Sequence, residues 1–496
     1  MKKKRRKEKG TESVQTISHD PATLNALVDK GLLYFYGTGG VRRDYSKART
    51  YLSEAANAGI AKAQEIVGLM LLNGMGCAVD AKEGIRYMSM AAEQNSAFAL
   101  WQMGMAYANG IVVEKNLEKA VECYTNASDQ NFASARFELG LLYMYGTGVP
   151  KDEEKGGELI SRAADDGCDL AVRYLARKEV DPKKSRELFE KAIQLGCIDA
   201  KYDLAVHILI TEKKAARPLQ VAELLEDCVR HYNADAIFLL GMLFLAGFFG
   251  TANKPNAISY FRAGAKLRDP KALYILGYLL YSQGQYDKAL EYFMAARKYK
   301  FPYASYALAV LYLMGEGVEK NVDLALAYCN ESVVQGLREG EYLFGWMFEH
   351  GEGVVADKRV ACEWFEKSRS KGYGPAAFAL AAYAPDEQKA HALYEEAAAC
   401  GYGEAYAKLG QLIEEKDLSE AVKLYEKGAR LSNATACLAL QRILTEGPDP
   451  DPERAEQYAK KAELFSKIGS GPSYLPVLEI SKTAHICLRT IGVEIE

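Results

Sequence analysis

One small residue recurs along this 496-residue chain at a nearly constant interval, inside the same local phrase each time. It stands at Gly31, Gly68, Gly104, Gly140, Ala176, Ala205, Gly241, Gly277, Ala309, Gly345, Ala381, Gly410 and Ala439. Successive intervals are 37, 36, 36, 36, 29, 36, 36, 32, 36, 36, 29 and 29 residues. A period of that size marks an array of stacked helical hairpins, each unable to bury its apolar face without its neighbours. Length alone would suggest roughly three globular domains, but an array grows by adding units, so the repeat overrides that expectation.

The repeat Ala133–Cys168 displays the unit. In Ala133–Tyr145 the apolar or small residues Ala135, Leu139, Gly140, Leu142 and Tyr143 fall at helical spacing. Gly146-Thr147-Gly148-Val149-Pro150 stops that helix: glycine supplies a left-handed cap, proline cannot continue, and Val149 can fold back onto the core. Glu153–Asp166 reads as a second helix with Leu159, Ile160, Ala163 and Ala164 on one face, closed by Gly167. Gly140 falls where the two helices must approach most closely. The phrase returns at Gly104–Gly110, Ala309–Val318 and Gly345–Val354, whereas 29-residue repeats join their helices through short turns such as Asp181-Pro182 and Ala384-Pro385-Asp386.

On these residues the chain resembles the Sel-1-like repeat proteins, relatives of the tetratricopeptide class with a Gly-x-Gly-Val loop between their helices. The resemblance runs from about Pro21 to Gly469. It implies an all-α, right-handed α-solenoid of about thirteen antiparallel hairpins, and a scaffold or adaptor that binds protein partners. It also raises membrane-linked quality-control adaptors and regulators of wall-polymer synthesis, for which this chain shows no signal peptide, spanning helix or lipid box.

The expected organisation is a basic then polar tail over 1–20, the array over 21–470, and a tail over 471–496 that covers the open end of the stack. That last segment carries Leu475, Val477, Leu478, Ile480, Ile486, Leu488, Ile491, Val493 and Ile495. Net charge is −4, but the first ten residues carry +6, which leaves −10 over the rest. A mildly acidic body offers no general field for nucleic acid. The run Lys2, Lys3, Lys4, Arg5, Arg6, Lys7 and Lys9 reads as a nuclear address or tether, an anionic-lipid contact, or a solvated tail that aids solubility. No apolar run reaches the ~20 residues needed to span a bilayer. The ten cysteines are scattered singly, with no Cys-x-x-Cys pair, which fits reduced thiols in a cytoplasmic protein, or a nuclear one if the basic run is an address.

A second periodicity lies three residues before the small one: Trp101, Phe137, Tyr202, Phe238, Tyr274, Tyr306, Tyr342 and Phe378. The residue after the small one is often apolar too, as at Tyr278 and Trp346. Positions four apart share a helix face, so these side chains form a stripe along the first helices. Two readings stand: packing between neighbouring repeats, or aromatic anchors lining a concave groove for a peptide or helix. The stripe is densest between Tyr274 and Trp346.

Catalysis finds no support in the motifs. The glycine loops Gly37–Gly40, Gly146–Gly148, Gly315–Gly317 and Gly351–Gly353 have no Gly-Lys-Ser/Thr after them and read as helix caps. Cys228 and His231 sit three apart on one helix, with no third group to orient them. No metal-ligand set and no cofactor motif is present. The expectation is a non-enzymatic protein without cofactor.

Overall fold

Each phrase folds as an antiparallel pair of helices, here called A and B. In the computed structural model the repeat displayed above has its A helix at Ala133–Tyr145 and its B helix at Glu153–Asp165. The A helix stops at Gly146, whose φ of 67° lies in the left-handed region that costs glycine nothing. The amides of Gly146 and Thr147 both return to the Leu142 carbonyl, satisfying the end of the helix. Asp152 then starts the B helix with two bonds. Its amide donates to the Tyr143 carbonyl, and its carboxylate accepts from the Lys155 amide, each at 2.9 Å. The same pair of bonds recurs at Asp80, Asn116, Asn321 and Asp357. An N-cap of this kind contributes typically ~1 kcal/mol.

The second glycine of the loop does a different job. A Cβ on Gly148 would come within 2.7 Å of Leu117 Cβ, at the start of the preceding repeat's B helix. The Gly-x-Gly loop is therefore both a helix stop and a seat for the neighbouring hairpin.

The structure describes residues 20–212, 217–448 and 450–469. The basic run Lys2–Lys9 and the segment 471–496 lie outside the described residues. Among those described are 26 helices and no strand. By their contacts they fall into two compact units, one through His207 and one from Ile208, with the boundary inside the helix Asp199–Glu212.

The first unit holds the A/B pairs Pro21–Tyr36/Tyr45–Asn57, Ala61–Asn73/Ala81–Glu93, Ala97–Asn109/Leu117–Asp129, the repeat described above, and Asp169–Lys178/Pro182–Gln194. The second unit begins with Pro218–Arg230. It continues through Ala234–Ala246/Lys254–Lys266, Pro270–Tyr281/Tyr286–Arg297, Pro302–Met314/Val322–Val334 and Arg338–His350/Lys358–Ser370. Its last pairs are Gly374–Ala381/Glu387–Ala399, Gly403–Ile413/Leu418–Arg430 and Ala434–Glu446/Pro452–Gly469. Within each unit an A helix packs on its own B helix and on the B helix of the hairpin before it. Where the period shortens to 29, the A helix itself is cut: Asp169–Lys178 has 10 residues and Gly374–Ala381 has 8.

The recurring small residue marks the A/B crossing. A Cβ on Gly140 would stand 2.7 Å from Ile160 Cγ1 and 3.0 Å from the Gly156 carbonyl oxygen. The equivalent glycines meet a large buried B-helix residue: Met88 at Gly68, Tyr124 at Gly104, Phe261 at Gly241, Phe365 at Gly345 and Tyr425 at Gly410. Ala309 answers the same need differently, because the buried residue 20 positions on is the small Cys329. All thirteen are buried save Ala439, which is half-buried.

Polar ties join consecutive repeats. Arg136 donates to the Asp166 carboxylate and, at 3.2 Å, to the Ser128 carbonyl. Arg173 and Arg177 both hold the buried Asp203, and in the second unit Arg369 reaches Glu396 at 2.7 Å.

A candidate protein-interaction face on the A helices

The aromatic stripe first builds the joints between repeats. Tyr342 stands 5.4 Å, centroid to centroid, from Phe365 on its own B helix and the same distance from Tyr373, which precedes the next A helix. Tyr274 repeats the arrangement with Phe293 at 5.6 Å and Phe301 at 5.5 Å. Phe378 does so with Tyr394 and Tyr402, and Trp101 with Phe132. Phe238 meets Phe261, and Phe137 meets Tyr174. Trp101, Tyr274, Tyr342 and Phe378 are thus wedges between one hairpin and the next, each meeting a residue at the start of the following A helix that sequence reading did not single out. Ile60, Phe132, Cys168, Phe301, Leu337, Tyr373 and Tyr402 all occupy that start, and none of them makes a side-chain cap bond.

Burial then separates the stripe. Phe137, Tyr278 and Tyr306 are buried, Tyr306 to 1 % exposure. Burial pushes the Tyr306 phenol well above the ordinary tyrosine value, and the Tyr342 phenol rises for the same reason. Trp101, Tyr202, Phe238, Tyr274, Tyr342, Trp346 and Phe378 are half-buried. Trp101, Phe137 and Tyr202 belong to the first unit and the other seven to the second.

A third register, two residues before the small one, distinguishes the four A helices between Ala234 and His350. At 100° per residue, position −2 lies about 160° around the helix from the small residue and +1 about 100°. Since the small residue faces its own B helix, both positions turn away from it. In the first unit position −2 is polar at Asp29, Gln102, Glu138 and Asp203, with Tyr174 and the buried Ile66 as the two exceptions. In the four second-unit helices it is Leu239, Ile275, Ala307 and Leu343, all at or below 3 % exposure. Met242, Tyr278 and Val310 at +1 are equally covered, whereas Met105 and Leu141 at +1 in the first unit are half-buried. In the next two repeats Ala379 and Lys408 are half-buried and Ala382 and Gln411 exposed, and in the last Cys437 and Leu440 are buried again. The switch was available in the sequence at positions −2 and +1. It was masked because the aromatic register at −3 is louder.

Two carboxylates of Arg338–His350 are buried as well, Glu339 on this face and Glu341 about 40° from the small residue. Glu339, six residues before Gly345, is 9 % exposed; its Oε1 pairs with Arg338 Nε at 3.2 Å and its Oε2 has no hydrogen-bond partner. Glu341 accepts from Lys371 Nζ at 2.7 Å and likewise keeps an unpartnered Oε2. Buried oxygens left unpaired carry a desolvation cost of about 1–3 kcal/mol each.

The remaining candidates resolve locally. His231 Nδ1 lies 2.9 Å from the Asp227 carbonyl oxygen on its own helix, and Cys228 is fully buried. Gly315 and Gly351, like Gly146, are left-handed helix caps. No disulfide joins the cysteines among the described residues. Among those residues, too, no group of three His, Cys, Asp or Glu side chains is placed to hold a metal, and no helix is long and apolar enough to cross a membrane.

The Sel1 repeat model matches twelve intervals: 27–60, 61–96, 97–132, 133–168, 169–197, 234–269, 270–296, 302–332, 338–373, 376–402, 403–433 and 438–463. The chain belongs to the Sel1 repeat family. The stretch 198–233 lies outside the matched intervals and contains the boundary between the two units. An uncharacterised protein of Neisseria meningitidis serogroup B is 26% identical over 327 residues, 64% of this chain and 68% of that protein. Among solved structures, the protective antigen c5321 of uropathogenic Escherichia coli, described as displaying an SLR fold, is 24% identical with a TM-score of 0.46, covering 90% of this chain and 86% of that one. Yeast Tom70 is 15% identical with a TM-score of 0.36, covering 91% and 98%. Proteins of the Sel1 family are commonly protein-interaction scaffolds.

Proposed function

We propose that this Sel1 repeat protein is a non-enzymatic scaffold, and that its binding surface is the A-helix face between Ala234 and His350. The observation that carries the reading is the change of residue type at position −2, from polar in most of the first unit to Leu239, Ile275, Ala307 and Leu343. A helix side turned away from its own hairpin has no need to be apolar unless something lies on it. Half-buried rings such as Tyr342 and Trp346 border the face as anchors of the kind that dominate interface energetics. The unpartnered oxygen of Glu339 favours a ligand that brings a donor. The partner that fits is an apolar peptide segment carrying a lysine or arginine.

Proximity labelling in the native cell tests this. Trp346→Ala should remove a defined set of labelled proteins while helicity stays near wild type. Gln411→Ala, at the equivalent exposed position of a later repeat, should leave the set intact. Equal label sets for the two variants would remove the face from consideration.

A further inference from the structure

The ends of the B helices differ in charge between the two units. Three successive B helices of the first unit end on Glu93, Asp129 and Asp165, and three successive ones of the second unit end on Arg230, Lys266 and Arg297. Arg297 is half-buried and the other five are exposed. The turns that follow sharpen the contrast: Asp166 adds a carboxylate to the first row, and Arg268, Lys298 and Lys300 add cations to the second. The cations suit their place, because the helix macrodipole favours positive charge at a C-terminus; the three carboxylates stand where it disfavours them. Local structure gives those carboxylates no relief. Glu93, Asp129 and Asp165 make no ion pair among the described residues, nor does Arg162, the one cation in the last turns of their helices. Lys266, Arg268, Lys298 and Lys300 are likewise without an ion pair among the described residues.

We propose that these rows are the two sides of a contact between copies of this chain, the carboxylate row of one copy lying along the cationic row of another. Each row sets its charges one hairpin apart, so the two match in pitch as well as in sign. A second copy also accounts for the carboxylates, which gain from an approaching cation what their own helix ends deny them. Nucleic acid fits the cationic row less well, because it would meet repulsion from the first row and from a chain that is net acidic beyond its first ten residues. Exposed ion pairs contribute little each, and complementary charge gives specificity and encounter rate more than affinity. The association is therefore weak and salt-labile. The rows lie at the turns from B helix to A helix, outside positions −2 and +1, so the contact does not depend on the A-helix face being a binding surface.

Sedimentation equilibrium of the purified full chain tests the contact. At low salt the weight-average mass should rise with concentration. In about 1 M salt, where the Debye length is about 3 Å, association should weaken at least about tenfold. The variant Glu93→Lys/Asp129→Lys/Asp165→Lys should be monomeric with an unchanged or raised thermal midpoint, because lysine suits a helix C-terminus. The variant Lys266→Glu/Arg268→Glu/Lys298→Glu/Lys300→Glu should be monomeric too. Mixed in equal amounts, the two should associate again, since the reversed rows of one now face the opposite charge on the other; two misfolded chains would not rescue each other. A wild-type chain that stays monomeric at every concentration in low salt overturns the proposal, even one that retains a polyglutamate peptide or an oligonucleotide. So do variants that associate as wild type does, and a mixture that stays monomeric.

Discussion

Gly140→Val puts the A/B crossing to a quantitative test. The new Cβ would stand 2.7 Å from Ile160 Cγ1, 3.0 Å from the Gly156 carbonyl oxygen and 3.2 Å from the Ile160 amide nitrogen. The isoleucine side chain can turn aside, but the carbonyl and amide belong to the B-helix backbone, so the helices must separate. Valine is a better helix former than glycine by a few tenths of a kcal/mol. Overpacking costs typically ~1–3 kcal/mol, which dominates. Hydrogen exchange in Ala133–Tyr145 and Glu153–Asp165 should therefore quicken by between about fivefold and a hundredfold, at 1.4 kcal/mol per factor of ten. Ile160→Ala alone should cost ~2–5 kcal/mol by leaving a cavity. The double variant should be less destabilised than the sum of the two, with a coupling of about 0.5–3 kcal/mol, since valine fills part of the space that isoleucine vacates. Ala309 opposite Cys329 is the natural form of that compensation. A neutral Gly140→Val, or strict additivity in the double variant, would refute the crossing argument.

Two further substitutions separate packing from surface roles. Tyr306→Ala removes a fully buried ring and should cost ~3–5 kcal/mol, read as a lowered thermal midpoint; an unchanged midpoint would contradict its place in the core. Burial holds the Glu138 carboxyl above its ordinary value, so the folded chain binds that proton more tightly than the unfolded chain. Stability from this group is present below the unfolded pKa, about 4.3, and is lost as pH rises through the folded value. Glu138→Gln should therefore raise Tm at pH 7, with the gain closing towards pH 4; an equal gain at both pH values would exclude a charge effect.

The fold was legible because its determinants are local and repeated. The phrase around Gly140 predicted an A helix over Ala133–Tyr145, which is what forms, and a B helix one residue longer than the Glu153–Asp165 observed. Gly146 could be recognised as a cap because its conformation depends only on its own backbone. Gly148 could not be read fully, because its second role depends on Leu117, which lies 31 residues back in the preceding repeat. The shortened A helices of the 29-residue repeats were likewise visible only as a deletion.

The candidate face was legible in register but not in use. Counting from the small residue located the stripe, yet Tyr306 and Tyr342 occupy the same position with different burial. What separates them is how their neighbours cover them, which periodicity does not encode. The polar-to-apolar switch between Glu138 and Leu239 was written in the sequence as plainly as the aromatic register. It acquires meaning only once position −2 is known to point away from the B helix.

Photo-crosslinking in the native cell tests the central claim most directly. A benzophenone side chain is placed at 346, on the apolar face, or at 138, at the polar −2 position of the first unit. Position 346 should yield a discrete partner band whose crosslinked peptide is apolar and carries a lysine or arginine, and position 138 should yield none. Equal partner yields from both positions, or partner crosslinks from 138 alone, would contradict the assignment of the binding face to Ala234–His350.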